Sequence, residues 1–590
     1  MLQHYSVWAP EAERVDLHLG VSGDRVEPMA PAGGGWWTVD AEPGDGRYAF
    51  ALDGGDPLPD PRGGRLPDGV HAASALVDPA AFDWTDDDWV GRRLQGSVIY
   101  ELHVGTFTDA GTFEAAIEHL DHLVELGIDI VELMPVASFP GRNGWGYDGV
   151  ALYSVHEPYG GPEGLYRFVE AAHARGLAVW LDVVYNHLGP VGNYLPKFGP
   201  YFTSRHQTPW GVAVNLDGPG SDEVRAYFVD NVRQWFLDYH LDGLRLDAVH
   251  ALHDESAIHL LEELAALAED IGAATGIPRV LVAESDRNDP RTVAARGAGG
   301  LGLDGQWADD VHHTLHVLLT GETQGYYADF ADPQALPKVL AHTPFFHDGT
   351  VSSFRKRRHG RPIEPSITPG WRFVASLQTH DQIGNRATGE RLSHLAGRGK
   401  AAIGAALLLT SPYTPMLFMG EEFDASTPWQ YFTDHSEEWL AESIRAGRQA
   451  EFAEHGWSGH VPDPQDPGTV EASTLNWADL HDPGRQQLLD WYRTLLRLRR
   501  ELPQLRDAAL GDGAVAREGD LLLVRRGTIE VVANLGDVPD TLPVPDGSEL
   551  LVGFGEVTLT GSEVALGPHS TGLLRAPLPD VTGEIPRVVL

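Results

Sequence analysis

Four segments of the chain end a β-branched or Leu-rich run in side chains that ionise or form strong hydrogen bonds. Asp182, Asn186 and His187 close DVVYNH, Arg245 and Asp247 close GLRLDAVH, Glu284 closes VAES, and His380 and Asp381 close QTHD. If such runs are parallel strands of a barrel, their C-terminal ends converge on one mouth, where polar side chains are more often catalytic than structural. Arg245 lies two residues before Asp247, so in a strand both point to one face. A structural ion pair is one reading of that spacing. The chemical reading is that a neighbouring guanidinium favours the ionised carboxylate a nucleophile needs and orients it with a planar fork of donors. Glu284 instead follows Val-Leu-Val-Ala, with no Lys or Arg nearer in sequence than Arg287. Apolar surroundings raise a carboxyl pKa and suit the group to donate a proton near neutrality. Two carboxyls with environments pushed apart meet the needs of glycoside hydrolysis, one attacking the anomeric carbon and the other protonating the departing oxygen. Asp381 is the candidate third carboxylate, stabilising the distorted sugar. Carboxyls about 5–5.5 Å apart give retention and those about 6.5–9.5 Å apart give inversion, and these residues alone leave both open.

Bringing those residues together requires strands that alternate with helices. Between residues 96 and 504 the candidate strands are SVIYELHV, DIVELMPV, AVWLDVVYNH, DGLRLDAV, VLVAES, GLDGQW, RFVASLQTHD and TPMLFMGEE. Eight of them predict an α/β fold, a (β/α)8 TIM barrel. Helical periodicity puts Phe113, Ile117, Leu120 and Val124 on one core face. It puts Val224, Phe228, Val232, Trp235 and Tyr239 on another, in a helix begun by Ser221 with Asp222 and Glu223 in its first turn. The longest irregular stretches, 188–220 and 320–370, are the expected binding loops. Residues 1–95 predict an N-terminal β-sandwich (SVWAP, RVDLHL, GGWWTVD, GRYAFALDG) followed by a Pro/Gly/Asp-rich linker over 60–96. Trp36 and Trp37 are expected to pack that sandwich rather than to bind glucan. Residues 505–590 predict a C-terminal β-sandwich domain.

Composition narrows the function classes. The chain has 590 residues and a formal charge of -42, from 43 Lys and Arg against 85 Asp and Glu. That charge repels nucleic acid and anionic membrane surfaces, so a neutral substrate is expected. The absence of cysteine excludes disulfides, zinc–thiolate sites and cysteine nucleophiles. The opening MLQHYSVWAP lacks the basic and apolar regions of a secretory signal, and no apolar run reaches the roughly 18 residues of a membrane span, which makes a cytoplasmic protein the expectation.

In order along one barrel, DVVYNH, GLRLDAVH, VAES and QTHD resemble the conserved regions of the α-amylase superfamily (glycoside hydrolase family 13). The resemblance implies a retaining hydrolase with Asp247 as nucleophile, Glu284 as acid/base and Asp381 as transition-state stabiliser. It implies sugar-binding or orienting roles for Arg245, His187 and His380 and supporting roles for Asp182 and Asn186. Tyr147, in GWGYD, resembles the family's aromatic platform at the cleaved sugar. Some members hold calcium near the third strand; this chain shows no all-oxygen calcium loop, so neither a metal nor a cofactor is expected. The N-terminal segment is similar to that of branching, debranching and trehalose-releasing members. DGPGSDEVRAYFVDN, LDAVHALHD, HHTLHVLLTGETQGYYADF, SFRKRRHG and THDQIGNR are similar to the last group, over nearly the whole chain.

The implied reaction is hydrolysis of the α-1,4 bond beside the terminal trehalose of maltooligosyl trehalose, with a monomer as the working unit. Trp210, Phe354, Arg355 and Gln382 are the candidates for holding the trehalose side, although Arg355 stands in an RKRR run that also reads as solvated surface. A branching glucanotransferase on the same scaffold is the alternative; such an enzyme would show His-Asp-Glu where this chain has His380, Asp381 and Gln382. A noncatalytic glucan-binding protein is the reading from another class, and it has no need of two opposed carboxylates.

Overall fold

The structure, a computed structural model, describes residues 2–454 and 461–578. Eight parallel strands close a barrel: β1 (Ile99–Leu102), β2 (Ile130–Leu133), β3 (Ala178–Val183), β4 (Gly243–Leu246), β5 (Val280–Ala283), β6 (Gly305–Trp307), β7 (Phe373–Ser376) and β8 (Thr414–Phe418). Every one lies inside a segment that the sequence marks as a strand. All are buried along their length, because helices cover the outer face and side chains fill the interior, and this is why they read as short apolar runs.

The interior is layered. Near the strand starts, Ile99, Ile130, Trp180, Val280, Val282 and Trp307 form an apolar plug. Trp180 fits because its neighbour in register is Gly243, where an added Cβ would lie 2.5 Å from the indole nitrogen. Two residues further along, on the same inward face, come Glu101 after Ile99, Glu132 after Ile130, Asp182 after Trp180 and Arg245 after Gly243. These four are buried, and the register sets Glu101 beside Glu132 and Asp182 beside Arg245. A charged layer thus sits on an apolar plug, directly below the mouth.

Two helix expectations need correction. The stripe Phe113, Ile117, Leu120, Val124 is not one face: two helices, Phe113–Ile117 and Leu120–Leu126, break at Glu118 and His119. The break resets the helical phase, so Phe113, Ala116, Leu120 and Leu123 are buried and Val124 is exposed. The helix Ser221–Leu237 buries Val224, Phe228, Val232 and Trp235 as expected, but its N-cap is Gly220, in the left-handed region at φ 78°, and no side chain caps it. Asp222 and Glu223 supply the negative charge that its first turn favours.

The N-terminal segment folds as two sheets, one of Gln3–Trp8, Trp36–Ala41 and Ala30–Gly33 and one of Arg25–Pro28, Val15–Leu19, Arg47–Leu52 and Ser74–Ala75. Trp36 and Trp37 are partly buried against the core, and the Trp37 indole donates to the Ala9 carbonyl, so they pack the sandwich. The C-terminal sheets have five strands (Gly513–Glu518, Leu521–Arg526, Ile529–Asn534, Ser570–Arg575, Glu549–Phe554) and three (Asp540–Pro543, Glu563–Leu566, Val557–Thr560). Among the described residues no helix is long and apolar enough to cross a membrane.

The 60–96 stretch is clamped to the barrel. Ser74–Ala75 pairs with the strand Arg47–Leu52, and Arg62 donates to Asp230 (2.8 Å) and to the Tyr153 hydroxyl (2.9 Å). Further on, His173 bridges Asp86 (2.8 Å) and Asp242 (3.0 Å), Trp89 stacks on His173 at 4.4 Å, and His240 reaches Asp86 at 2.9 Å while stacking on Trp84 at 3.9 Å. Burial opposes the charge on Asp86, but hydrogen bonds from His173 and His240 outweigh it and lower its pKa. Burial likewise opposes a charged His173, and Asp242 and Asp86 outweigh it and raise its pKa. The Asp86 contribution is therefore present above its unfolded pKa and lost in acid, whereas the His173 contribution is present below its unfolded pKa and lost as pH rises through the folded one. Asp86→Ala is predicted to cost about 2–3 kcal/mol at about pH 6, read as a lower thermal midpoint, and less at about pH 9. An equal loss at both pH values would show that the cluster acts by packing alone.

Candidate active site

Each of the four polar strand ends is delivered by its own strand to one side of the barrel. Beyond them lies a cleft of about 650 Å³ whose lining includes Tyr147, His187, Trp210, Asp247, Glu284, His380 and Asp381. Behind the lining carboxyls lies Arg245, fully buried, with its guanidinium 4.3 Å from the ring centre of Trp307. Arg245 Nη1 donates to Asp182 Oδ2 (2.5 Å) and Asp247 Oδ1 (2.9 Å), and Nη2 lies 3.2 Å from Glu284 Oε2. The ion pair and the chemical constellation, alternatives in the sequence, are one arrangement. Asn186 completes the hold on Asp247, donating Nδ2 to Oδ2 (2.7 Å) and to the backbone carbonyl (2.8 Å).

Glu284 has a cation that sequence distance concealed, since Arg245 comes from the adjacent strand. Burial nevertheless dominates and, reinforced by Asp247, Asp381 and Asp309 against the pull of Arg245, holds the Glu284 carboxyl well above the usual range. Its Oε2 also accepts the Ala248 backbone N–H at 2.6 Å. Oε1 carries no hydrogen bond among the described residues, so it is the oxygen left for a proton on this carboxyl. Ala248 makes that contact from the left-handed region (φ 39°, ψ 48°), a conformation costing a non-glycine residue about 1–2 kcal/mol. Such strain is held where the surrounding structure over-determines it.

Asp381 stands at the start of a short helix, His380–Gly384, whose N-cap Thr379 accepts the Asp381 N–H at 3.2 Å. Its carboxylate is 47% exposed and accepts from Asn385 Nδ2 (3.1 Å), so it reaches into the cleft with little to hold it back. Tyr147 donates its hydroxyl to Asp182 Oδ2 (2.6 Å) and stacks against His380 with ring centres 5.1 Å apart. Burial pushes Asp182 up to about 6 against the pull of Arg245, which still leaves it ionised at neutral pH. His187 donates to the Tyr147 carbonyl (3.0 Å) and stacks face to face on Trp210, 4.6 Å away at 6°. Trp210 is carried by the hairpin Phe202–Thr208 and Gly211–Val214, inside the long stretch after β3, and its half-exposed face is offered to the cleft.

The other three trehalose-side candidates are not in the lining. Phe354 is exposed beside Tyr326, with ring centres 6.1 Å apart. Arg355 pairs with Asp286 (3.1 Å), while Lys356, Arg357 and Arg358 of its basic run are exposed. Gln382 accepts from the Thr379 hydroxyl (2.5 Å). Asp182 and Asn186 are buried and lie outside the cleft lining, in contact with Arg245 and Asp247 respectively.

Several contributors escaped the sequence reading. Asp309, after β6, is pushed up to about 7 by burial and by Asp310 and Asp381, and the signal was a WADD run ending a strand like the others. Leu440 and Ile444 wall the cleft from the helix Glu438–Glu454, which no chemical residue marked. Glu101 was visible as a carboxylate inside the apolar SVIYELHV. No cluster of three or more His, Cys, Asp or Glu among the described residues is arranged to hold a metal ion.

Comparison with known proteins agrees with this geometry. Residues 77–204 match the alpha amylase catalytic domain and residues 508–573 a domain of unknown function, DUF3459. The chain is 52% identical over 582 residues to the malto-oligosyltrehalose trehalohydrolase of Rhizobium sp. (strain M-11), covering 97% of each. It is 52% identical over 581 residues to that of Arthrobacter ramosus, covering 98% of this chain and 100% of the other. A 1.4 Å crystal structure of a Salmonella typhimurium protein designated an alpha amylase superposes with a TM-score of 0.88 at 37% identity, over 97% of this chain and 98% of that one. With the closed barrel, the ordered polar strand ends and this full-length similarity, the chain belongs to the malto-oligosyltrehalose trehalohydrolase family, within the alpha-amylase group.

Proposed function

We propose that the protein hydrolyses the α-1,4 bond next to the terminal trehalose of a maltooligosyl trehalose by double displacement, releasing trehalose and a shortened maltooligosaccharide. One observation carries the mechanism: Asp247 and Glu284, both lining the cleft, share the two terminal nitrogens of a single buried guanidinium. Carboxyls drawn together in this way suit the close spacing of retention, about 5–5.5 Å. The full-length relatives' substrate supports the choice of bond.

In this reading Asp247, held by Arg245 and aimed by Asn186, attacks the anomeric carbon while Glu284 Oε1 protonates the leaving trehalose oxygen. Glu284, now a carboxylate, then takes a proton from water as that water displaces the sugar from Asp247. Asp381 faces the positive charge that develops on the ring, and Tyr147 gives the sugar an aromatic face. Trp210, stacked on His187, offers a second flat face to the glucan. The reading includes a cytoplasmic setting and a single chain as the working unit.

Incubation with maltotriosyl trehalose should yield free trehalose; no trehalose, together with new branch points in amylose, would favour the transferase reading instead. Asp247→Asn and Glu284→Gln should each stay folded and lose at least about 10³-fold in turnover, and a near-normal rate in either removes that residue from the mechanism. Because Glu284 must be protonated to act and its pKa is raised, the rate should hold through mild acid and fall as pH rises through the folded value. A profile flat above neutrality would assign the acid elsewhere. Trp210→Ala should raise KM about tenfold with a smaller change in kcat, since a stacking face binds ground and transition states alike; an unchanged KM would take Trp210 out of the substrate path.

A further inference from the structure

Below the reacting carboxyls, the polar layer of the barrel contains a chain of hydrogen bonds that the mechanism above leaves unused. Glu101, at the end of β1, is buried and spends both oxygens on His380: Oε1 lies 2.5 Å from Nδ1, and Oε2 accepts the His380 backbone N–H at 3.1 Å. The other ring nitrogen, Nε2, lies 2.8 Å from the Tyr147 hydroxyl. That hydroxyl has one proton to give. Asp182 Oδ2 stands 2.6 Å away and already accepts from Arg245, so it takes the proton as a carboxylate, and Arg245 Nη1 approaches the hydroxyl oxygen at 3.3 Å as a donor. Tyr147 therefore presents only a lone pair to His380, and Nε2 must be the donor. Nδ1, facing a carboxylate, must be a donor as well. Both nitrogens carrying hydrogen make the ring an imidazolium.

We propose that Glu101 is a positioning residue for this reaction: it keeps His380 doubly protonated, and through that ring it holds Tyr147 and the Asp182–Arg245 pair in the geometry that presents Asp247. The inference rests on the hydrolase reading of the site and adds to it a residue that never touches substrate. The other groups around His380 do not substitute for Glu101. Burial alone would lower the pKa of His380, and Glu101, with help from Asp381, offsets it and brings the value up to about 9, while Arg245 opposes. Asp381 Oδ1 is 3.8 Å from Nε2 and half-exposed. Glu132, from β2, is buried with neither oxygen hydrogen-bonded, and burial followed by the charges of Glu101 and Asp182 holds it well above the usual carboxyl range, which disfavours its anionic form. His103, after β1, is held down to about 3 by burial and is also neutral. Asp182 is engaged by Arg245 and Tyr147. Glu101 is thus the anion on which the second proton of His380 depends.

The test is the protonation of His380 read by ¹⁵N NMR of histidine-labelled full-length protein, with its signals identified by their loss in H380Q, alongside the pH dependence of trehalose release. In wild type both ring nitrogens should be protonated at about pH 7.5; in E101Q at least one should have lost its proton, because burial and Arg245 are then opposed only by Asp381. In E101Q, kcat/KM should fall at least about tenfold below wild type at about pH 8 and recover toward it as pH is lowered. E101D, which keeps the charge, should restore both the imidazolium and the wild-type profile shape. A neutral His380 in wild type overturns the proposal, whether or not E101Q folds. So does an E101Q profile that is only scaled down, with the limbs of wild type. Failure of wild type to release trehalose would strike the proposed substrate instead and leave the NMR result to decide the role of Glu101.

Discussion

A single buried cation organises the catalytic end of the barrel. Moving a guanidinium out of water costs several kcal/mol, and a folded chain recovers that only by surrounding it with well-placed anions and acceptors. Arg245 is ringed by Asp182, Asp247 and Glu284 and lies over the face of Trp307. Each anion is in turn fixed by something else: Asp182 by Tyr147, Asp247 by Asn186, Glu284 by the Ala248 N–H. The planar fork admits few arrangements, so neutralising the buried charge also sets the positions of the two reacting carboxyls. The depth of Arg245 depends on the apolar plug beneath it, where Gly243 gives way to Trp180.

The same arrangement separates the two carboxyls chemically. Asp247 receives two donors on its carboxylate, one from Arg245 and one from Asn186. Glu284 also meets Arg245, but at the longer distance of 3.2 Å, and burial beside Asp247, Asp381 and Asp309 drives its pKa upward. Close carboxyls cannot all ionise at once in a buried site, and the one with the weaker hold on the cation keeps its proton. In the proposed mechanism a nucleophile and an acid thus arise from two similar side chains, and Asp381, half-exposed, provides charge where the sugar ring distorts.

Local pattern made the barrel legible: every strand lies in a short run of apolar residues, and the polar strand ends stood out against them. The resemblance to a known superfamily then supplied roles that spacing could not. What stayed hidden depends on contacts between elements distant in sequence. Arg245 is 39 residues from Glu284 in the chain, so Glu284 read as free of cations until β4 and β5 were seen in register. Glu101 is 279 residues from His380. In the sequence it is one carboxylate in an apolar strand, and only closure of the barrel, with β1 beside β8, reveals its partner. The helix errors have a local cause: a break at Glu118 and His119 shifts the phase by less than a periodicity template resolves, and Gly220 caps by backbone conformation rather than by a side chain. The long stretch after β3 brings Trp210 to the cleft, yet nothing in its sequence told that Trp210 would stack on His187.

The central claim is that one guanidinium holds two carboxyls close enough for double displacement. The most direct measurement is ¹H NMR of the anomeric proton on the new reducing end, recorded during hydrolysis of maltotriosyl trehalose and before mutarotation. The account predicts that the α-anomer appears first, as retention at Asp247 requires. Initial formation of the β-anomer would mean single displacement by water, and would contradict it.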